Sequence, residues 1–421
     1  SLITSHNFVD FCALHNYQTG FKDKNHLGSA VTLLETPSKT PVWFNYHSQS
    51  SKTNPAKGHT VIFGGNNAGK TTLVSFMDAQ MGRYQGKSFF LDRDQASRIY
   101  ILACGNSSYT VIHPKFKDTI RMNPLQLPDS PENRTFVKTW MASLIKRPSE
   151  DAIPSMIAEQ MNECVDYNFD HLEASYRTLS NLAKCLPIDF QRWPELKRWL
   201  KGDGTYAEGE FAWLFDNNED ALELGFDKVG FDITYLMDEV NPLISTPVYL
   251  YLVHRMRQCL DGRLTTFIID EAFQVFNSPF WVRLLRDWLP TIRKKNGHFI
   301  FMTQSPQTVI DSDISPVILD NVATMLLFPN ALASRTTYVD HLKLTDAEYQ
   351  TLIRVSTESR LFLYKQGHEA ILCKLDLSAL EDEIRVLSGN EKSVRLLDEL
   401  LKETGNNPEQ WLPLFLARSA A

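Results

Sequence analysis

Thr60-Val61-Ile62-Phe63-Gly64-Gly65-Asn66-Asn67-Ala68-Gly69-Lys70-Thr71-Thr72 is the stretch on which the reading of this chain turns. Its first four residues form a short apolar, β-branched run that reads as a buried strand. Leu73, Val74, Phe76 and Met77 then recur at helical spacing, so a helix follows the glycines. Between strand and helix lies a match to GxxxxGK[ST], in the context that motif requires. Small residues let successive backbone N–H groups close around phosphate oxygens without a Cβ in the way. The helix that starts after Gly69 turns its positive end toward the same oxygens. Lys70 can reach β- and γ-phosphate oxygens, and the Thr71 hydroxyl can hold Mg²⁺. Gly64, Gly65, Asn66, Asn67, Ala68, Gly69, Lys70, Thr71 and Thr72 are therefore the candidate nucleotide-binding residues.

Outward from this loop the chain alternates strand and helix. Residues 30–36 and 41–47 read as two strands around Pro37-Ser38-Lys39-Thr40. Ser88–Leu91, Arg98–Leu102, Phe231–Thr234, Thr265–Ile269, His298–Met302 and Val322–Phe328 read as further strands. Helices are expected through Tyr249–Met256 and over about Phe280–Lys295, and a terminal helical pair from Glu381. This order predicts an α/β fold with a mostly parallel sheet covered on both faces. From about Ser130 to Lys201 strand signals are scarce and helical ones many, which predicts an inserted helical region. Its aromatic residues, Phe136 with Trp140 and Trp193 with Trp199, are read as packing residues rather than base-stacking ones.

Phe267-Ile268-Ile269-Asp270-Glu271 supplies the natural second half of a nucleotide site. Asp270 takes the Mg²⁺ role and Glu271 accepts a proton from attacking water. Gln304, capping the strand that follows, can orient that water or sense the γ-phosphate. Arg293-Lys294-Lys295 has two readings: cations complementing a helix C-terminus, or an arginine (Arg293) supplied in trans to a neighbouring subunit's nucleotide. Arg255, Arg335 and Arg360 are the next candidates for that arginine.

Composition narrows the alternatives. The 421 residues carry 43 Lys and Arg against 50 Asp and Glu, a formal charge of −7, which argues against a basic nucleic-acid coat, although a local basic channel in an assembly would not show in the total. No apolar run reaches the roughly 18 residues of a membrane span. The six cysteines, Cys12 among them, form no CxxC pair and read as reduced thiols. The 11 histidines show no zinc-ligand spacing. Leu387-Ser388-Gly389 is too short a fragment of an ABC-type signature to count.

The residues fall in an order that resembles a known family. Asn16-Tyr17-Gln18-Thr19-Gly20, Phe44-Asn45-Tyr46-His47, the phosphate loop, Phe89-Phe90-Leu91-Asp92-Arg93-Asp94 and Asn123-Pro124-Leu125 come first. Phe231-Asp232-Ile233-Thr234, Tyr251 to Arg255, Ile269 to Ala272, Arg293 to Gly297, Thr303 to Pro306, Phe328-Pro329-Asn330 and Leu344 to Glu348 follow. From about residue 5 to 378 this series resembles the CagE/TrbE conjugal-transfer ATPases, the VirB-four component of bacterial type IV secretion systems.

The resemblance implies the C-terminal ATPase half of a longer protein, consistent with a start at Ser1. It implies a RecA-like P-loop fold of the HerA/FtsK branch, with residues 1–127 and 229–380 forming the ATPase domain. Residues 128–228 would be the helical subdomain and 381–421 a helical tail. It also implies Mg²⁺-dependent ATP hydrolysis in a hexamer at the cytoplasmic face of the inner membrane; the charge of −7 and the missing N-terminal half predict that the isolated stretch is mostly monomeric. Other secretion components and an exported protein or DNA–protein substrate are the implied partners. Lys70, Thr71, Asp270, Glu271 and Gln304 fall on the family's nucleotide motifs, Arg293 where related ATPases place a trans arginine, and Asp92 and Asp94 on its second-strand motif. Asn66-Asn67-Ala68 departs from the usual Gly/Ser/Thr-rich loop interior, although Asn tolerates unusual backbone angles. Two alternatives share these residues: a DNA-translocating motor, whose ATPase DNA would stimulate in a salt-dependent way, and a nucleotide-gated scaffold with little turnover.

Overall fold

The structure, a computed structural model, describes residues 18–51, 54–237 and 242–420. Cys12 and the Asn16-Tyr17 pair lie outside these residues. In chain order the elements that matter are β1 (Thr32–Glu35), β2 (Pro41–Phe44), β3 (His59–Phe63), α1 (Lys70–Met81), β4 (Lys87–Asp92), α2 (Arg98–Ala103) and β5 (Ser107–Val111). Then come α3 (Pro131–Ile145), α4 (Ser155–His171), β6 (Lys228–Asp232), α5 (Pro242–Gln258), β7 (Thr265–Ile269), α6 (Pro279–Thr291) and β8 (Gly297–Thr303). β9 (Val322–Leu327), β10 (Leu361–Gln366), β11 (Glu369–Lys374), α7 (Glu391–Thr404) and α8 (Pro408–Ser419) complete the set. The chain divides into two compact units, residues 1–86 with 271–384, and residues 87–270 with 385–421.

In the first unit the strands run in the order β2-β1-β11-β10-β9-β3-β8. β3 pairs in parallel with β8 and with β9, and all remaining pairings are antiparallel. Every residue of β3 and of β8 is buried, as expected of a parallel strand covered on both faces. Phe63 stands opposite both Thr303 and Leu327, so β3, β8 and β9 end at one edge. That edge is where ligands of parallel α/β sheets bind. The antiparallel β10–β11 hairpin turns at Gly367, at φ 61°, a conformation that suits glycine.

The second unit holds four parallel strands in the order β7-β4-β6-β5. Here one expectation fails: Arg98–Leu102 is not a strand but most of α2. Ile99 packs into a cluster with Val394, Leu397, Leu400, Trp411 and Phe415 of α7 and α8. Ile101, also buried, reaches to where a Cβ on Gly230 of β6 would stand. A helix apolar on two sides loses its 3.6-residue signature, so its β-branched run imitates a strand. The strand of this region is β5, which the sequence reading did not identify.

Between β5 and β6 no strand occurs among the described residues. Val137, Trp140, Met141, Leu144 and Ile145 of α3 and Ile157, Met161, Cys164 and Val165 of α4 are buried. Trp140 meets Phe215 edge to face, and Trp199 packs against Phe211 and Phe215, so both indoles serve as packing. Gly389, of the discarded signature fragment, lies where any Cβ would strike the Ala96 carbonyl at 2.6 Å. Cys104, Cys164, Cys185, Cys259 and Cys373 are free thiols. No helix among the described residues is long and apolar enough to cross a membrane.

Candidate nucleotide site

Gly64 leaves β3 at the ligand edge and donates its N–H to the Thr303 carbonyl of β8, 3.1 Å away. The loop then turns through two left-handed residues, Asn67 at φ 60° and Gly69 at φ 97°. Such alternation aims successive N–H groups into one concavity, a nest for an anion. Asn67 takes this conformation because its short polar side chain tolerates it. The first turn of α1 carries no acidic residue and no side-chain cap, so no side chain competes for its N-terminal N–H groups. Lys70, itself buried, folds back over the loop, its Nζ 2.6 Å from the Gly64 carbonyl and 3.2 Å from that of Gly65. The loop backbone and Lys70 thus form one compact anion-binding arrangement.

The same edge carries an acid and an amide. Glu271 is a left-handed non-glycine residue, φ 48°, directly after Asp270, and Ala272 bonds back to the Met302 carbonyl at 2.8 Å. A glutamate held at such an angle stores strain of the kind concentrated at functional sites. Its Oε1 accepts a 3.1 Å bond from Nε2 of Gln304, which follows the residue bonded to Gly64. The first unit therefore unites the phosphate loop, Glu271 and Gln304.

Asp270, the last residue of this stretch of the second unit, is buried and donates its N–H to the Leu91 carbonyl at 3.0 Å. Near it is Asp92, whose carboxyl is pushed up to about 8 by burial and by the neighbouring Asp270 charge. Asp92 accepts from the Tyr109 hydroxyl at 2.6 Å and the Ser97 N–H at 2.9 Å. Burial also raises Asp232, at the end of β6. Asp94, by contrast, is exposed and left-handed, φ 53°, with its N–H bonded to the Thr234 hydroxyl.

The arginine candidates separate. Arg293 is exposed in the short 3₁₀ turn before β8, and its guanidinium has no hydrogen bond or ion pair among the described residues. It lies at the opposite end of β8 from Gln304, a strand of seven residues or roughly 20 Å. It cannot serve the phosphate loop of its own unit. Arg255 is tied to Asp220 and the Tyr251 hydroxyl, inside the second unit. Arg335 pairs with Asp346 at 2.8 Å. Arg360 stands apart, with Nη1 donating to the Asn67 carbonyl of the phosphate loop. No pattern in the sequence marks it; only the missed β10 explains its position.

No family model matches the chain. Individual relatives do. The type IV secretion system protein PtlC of Bordetella pertussis is 31% identical over 99% of this chain. The virB4 protein of Bartonella henselae is 32% identical over the same share. The chain spans about half the length of these relatives, 52% and 51%. Among solved structures, VirB4 of Thermoanaerobacter pseudethanolicus superposes with a TM-score of 0.65. The match covers 86% of this chain and 100% of that one at 16% identity, a likeness of fold. With the phosphate loop between β3 and α1, the fold is that of a RecA-like P-loop NTPase. By sequence and by fold, the chain belongs to the VirB4 family of type IV secretion system proteins.

Proposed function

We propose that this chain is the ATP-hydrolysing motor portion of its secretion protein. The observation that carries the reading is the nest of Asn67, Gly69 and Lys70 on one sheet edge with the Glu271–Gln304 pair. The loop N–H groups and Lys70 bind the triphosphate, and the positive end of α1 adds to the field on it. Glu271 takes a proton from water as the water oxygen attacks the γ-phosphorus, and ADP leaves with the electrons of the broken P–O bond. Gln304 holds the Glu271 carboxylate and with it the water. The Thr71 hydroxyl of the first unit and the Asp270 carboxylate of the second are each a hard oxygen donor of the kind that suits Mg²⁺. When bound, that ion neutralises charge on the β- and γ-phosphate oxygens.

Arg293 acts in trans, which the length of β8 favours over any role on its own loop. That requires an oligomer with head-to-tail interfaces, which close into a ring; the family resemblance implies a hexamer. The motor works at the cytoplasmic face of the inner membrane, with other secretion components and an exported protein or DNA–protein substrate. Binding and chemistry separate by mutation. Glu271→Gln should keep ATP affinity within about threefold and lose at least about 100-fold in turnover. Should it lose binding as fully as Lys70→Ala does, Glu271 is a structural residue and the assignment fails.

A further inference from the structure

β10 runs antiparallel to β9, with Leu363 opposite Leu327, so its first residues lie at the edge where β3, β8 and β9 end. The turn before β10 therefore faces the phosphate loop. Ser356 and Ser359 shape that turn, the Ser356 hydroxyl accepting from the Glu358 N–H and the Ser359 hydroxyl from the Leu361 N–H. Arg360 sits at its end, itself left-handed at φ 58°. Its guanidinium donates to the Asn67 carbonyl and lies 3.6 Å from where a Cβ on Gly69 would be. One arginine thus bonds the first left-handed residue of the nest, Asn67, and lies beside the second, Gly69. No carboxylate pairs with it among the described residues.

We propose that Arg360 is the positioning residue that locks the phosphate loop in its anion-binding shape. The inference rests on the phosphate-loop reading above. Glycine enters the left-handed region freely, whereas Asn67 does so at a cost. Turning the Asn67 carbonyl away from the nest leaves that oxygen needing a donor, and Arg360 supplies a charge-assisted one. Without it, Asn67 relaxes toward negative φ and the N–H groups after it lose their common aim. Arg360 acts through the loop and not on the nucleotide, so its loss weakens every ligand that the nest holds.

The test uses the full chain with ATP and with inorganic tripolyphosphate, which has no nucleoside. Arg360→Ala should raise Kd about tenfold for both, roughly 1.4 kcal/mol, with kcat at saturating ATP within about threefold of wild type. Adding Asn67→Gly to Arg360→Ala should recover most of the lost affinity, because glycine needs no lock. In the ligand-free chain, amide hydrogen exchange across residues 65–70 should be faster in Arg360→Ala than in wild type. A loss seen with ATP but not tripolyphosphate makes Arg360 a nucleoside contact and overturns the proposal. So does a fall in kcat of tenfold or more, a failure of Asn67→Gly to rescue, or unchanged exchange. A wild-type chain that binds neither ligand instead refutes the nucleotide-site reading, and the exchange measurement still decides the loop lock.

Discussion

Two glycines of the phosphate loop should fail in different ways when replaced by alanine. Gly64 is buried, and a Cβ there would stand 2.9 Å from Cδ2 and 3.1 Å from Cβ and Cγ of Phe328. Phe328 is fixed by a 2.8 Å bond from its N–H to the Phe63 carbonyl and by the Phe362 ring. The overlap must be relieved by moving packed groups, an overpacking worth about 1–3 kcal/mol. For a unit of this size that is roughly 2–10 °C in Tm. Gly69 is the reverse case. Its nearest neighbour to a new Cβ is the Arg360 guanidinium at 3.6 Å, an ordinary contact, but its φ of 97° suits no L side chain. The strain is about 1–2 kcal/mol, and an exposed loop sheds it by leaving the nest geometry. Gly69→Ala should therefore lose ATP affinity by roughly 5–30-fold with little change in Tm, while Gly64→Ala lowers Tm. Thermal unfolding and titration of a fluorescent ATP analogue read the two effects. Gly64→Ala combined with Phe328→Ala should cost less than the sum of the single changes. Wild-type affinity in Gly69→Ala, or strict additivity in that cycle, would refute the account of the loop.

A second prediction concerns acid. His298, fully buried on β8, has both ring nitrogens without partners among the described residues, and burial lowers it to about 3. Its folded pKa lies below the unfolded value near 6.5, so its neutral form favours the fold above that pH and stability falls as pH drops toward 3. His298→Leu should be near neutral at pH 7 and gain about 2 kcal/mol over wild type at pH 5, read by urea midpoints; equal midpoint differences at both pH values would contradict this. A third concerns Arg293. Arg293→Ala and Glu271→Gln chains, each inactive alone, should regain part of their ATPase when mixed, because some interfaces then pair an intact Glu271 with a neighbour's intact Arg293. No recovery in demonstrably mixed oligomers would return Arg293 to a helix-end cation.

The legible parts were those with a local signature. The apolar run of β3, the glycines and Lys70 are contiguous, and Ile269-Asp270-Glu271 ends an apolar strand. What stayed hidden depends on partners distant in sequence. α2 read as a strand because Ile99 and Ile101 face two different layers. β5 is half-exposed along its whole length, and β10–β11 form the antiparallel extension that βα alternation does not announce. Missing β10 hid the relation of Arg360 to Asn67, 293 residues apart. The left-handed Glu271 was also beyond reach, since it sits beside a long-range bond, from Ala272 to Met302 of β8, that no local pattern announces.

The central claim is that the nest around Lys70 is where ATP is cleaved. Phosphate release from Mg·ATP, measured with protein in excess so that a slow chain is still read, tests it directly for wild type and Lys70→Ala. Lys70 brings the loop's cation to the β- and γ-phosphates, so the account predicts turnover by wild type, and for Lys70→Ala a fall of at least about 100-fold together with weakened ATP binding. Release by Lys70→Ala at close to the wild-type rate would contradict it.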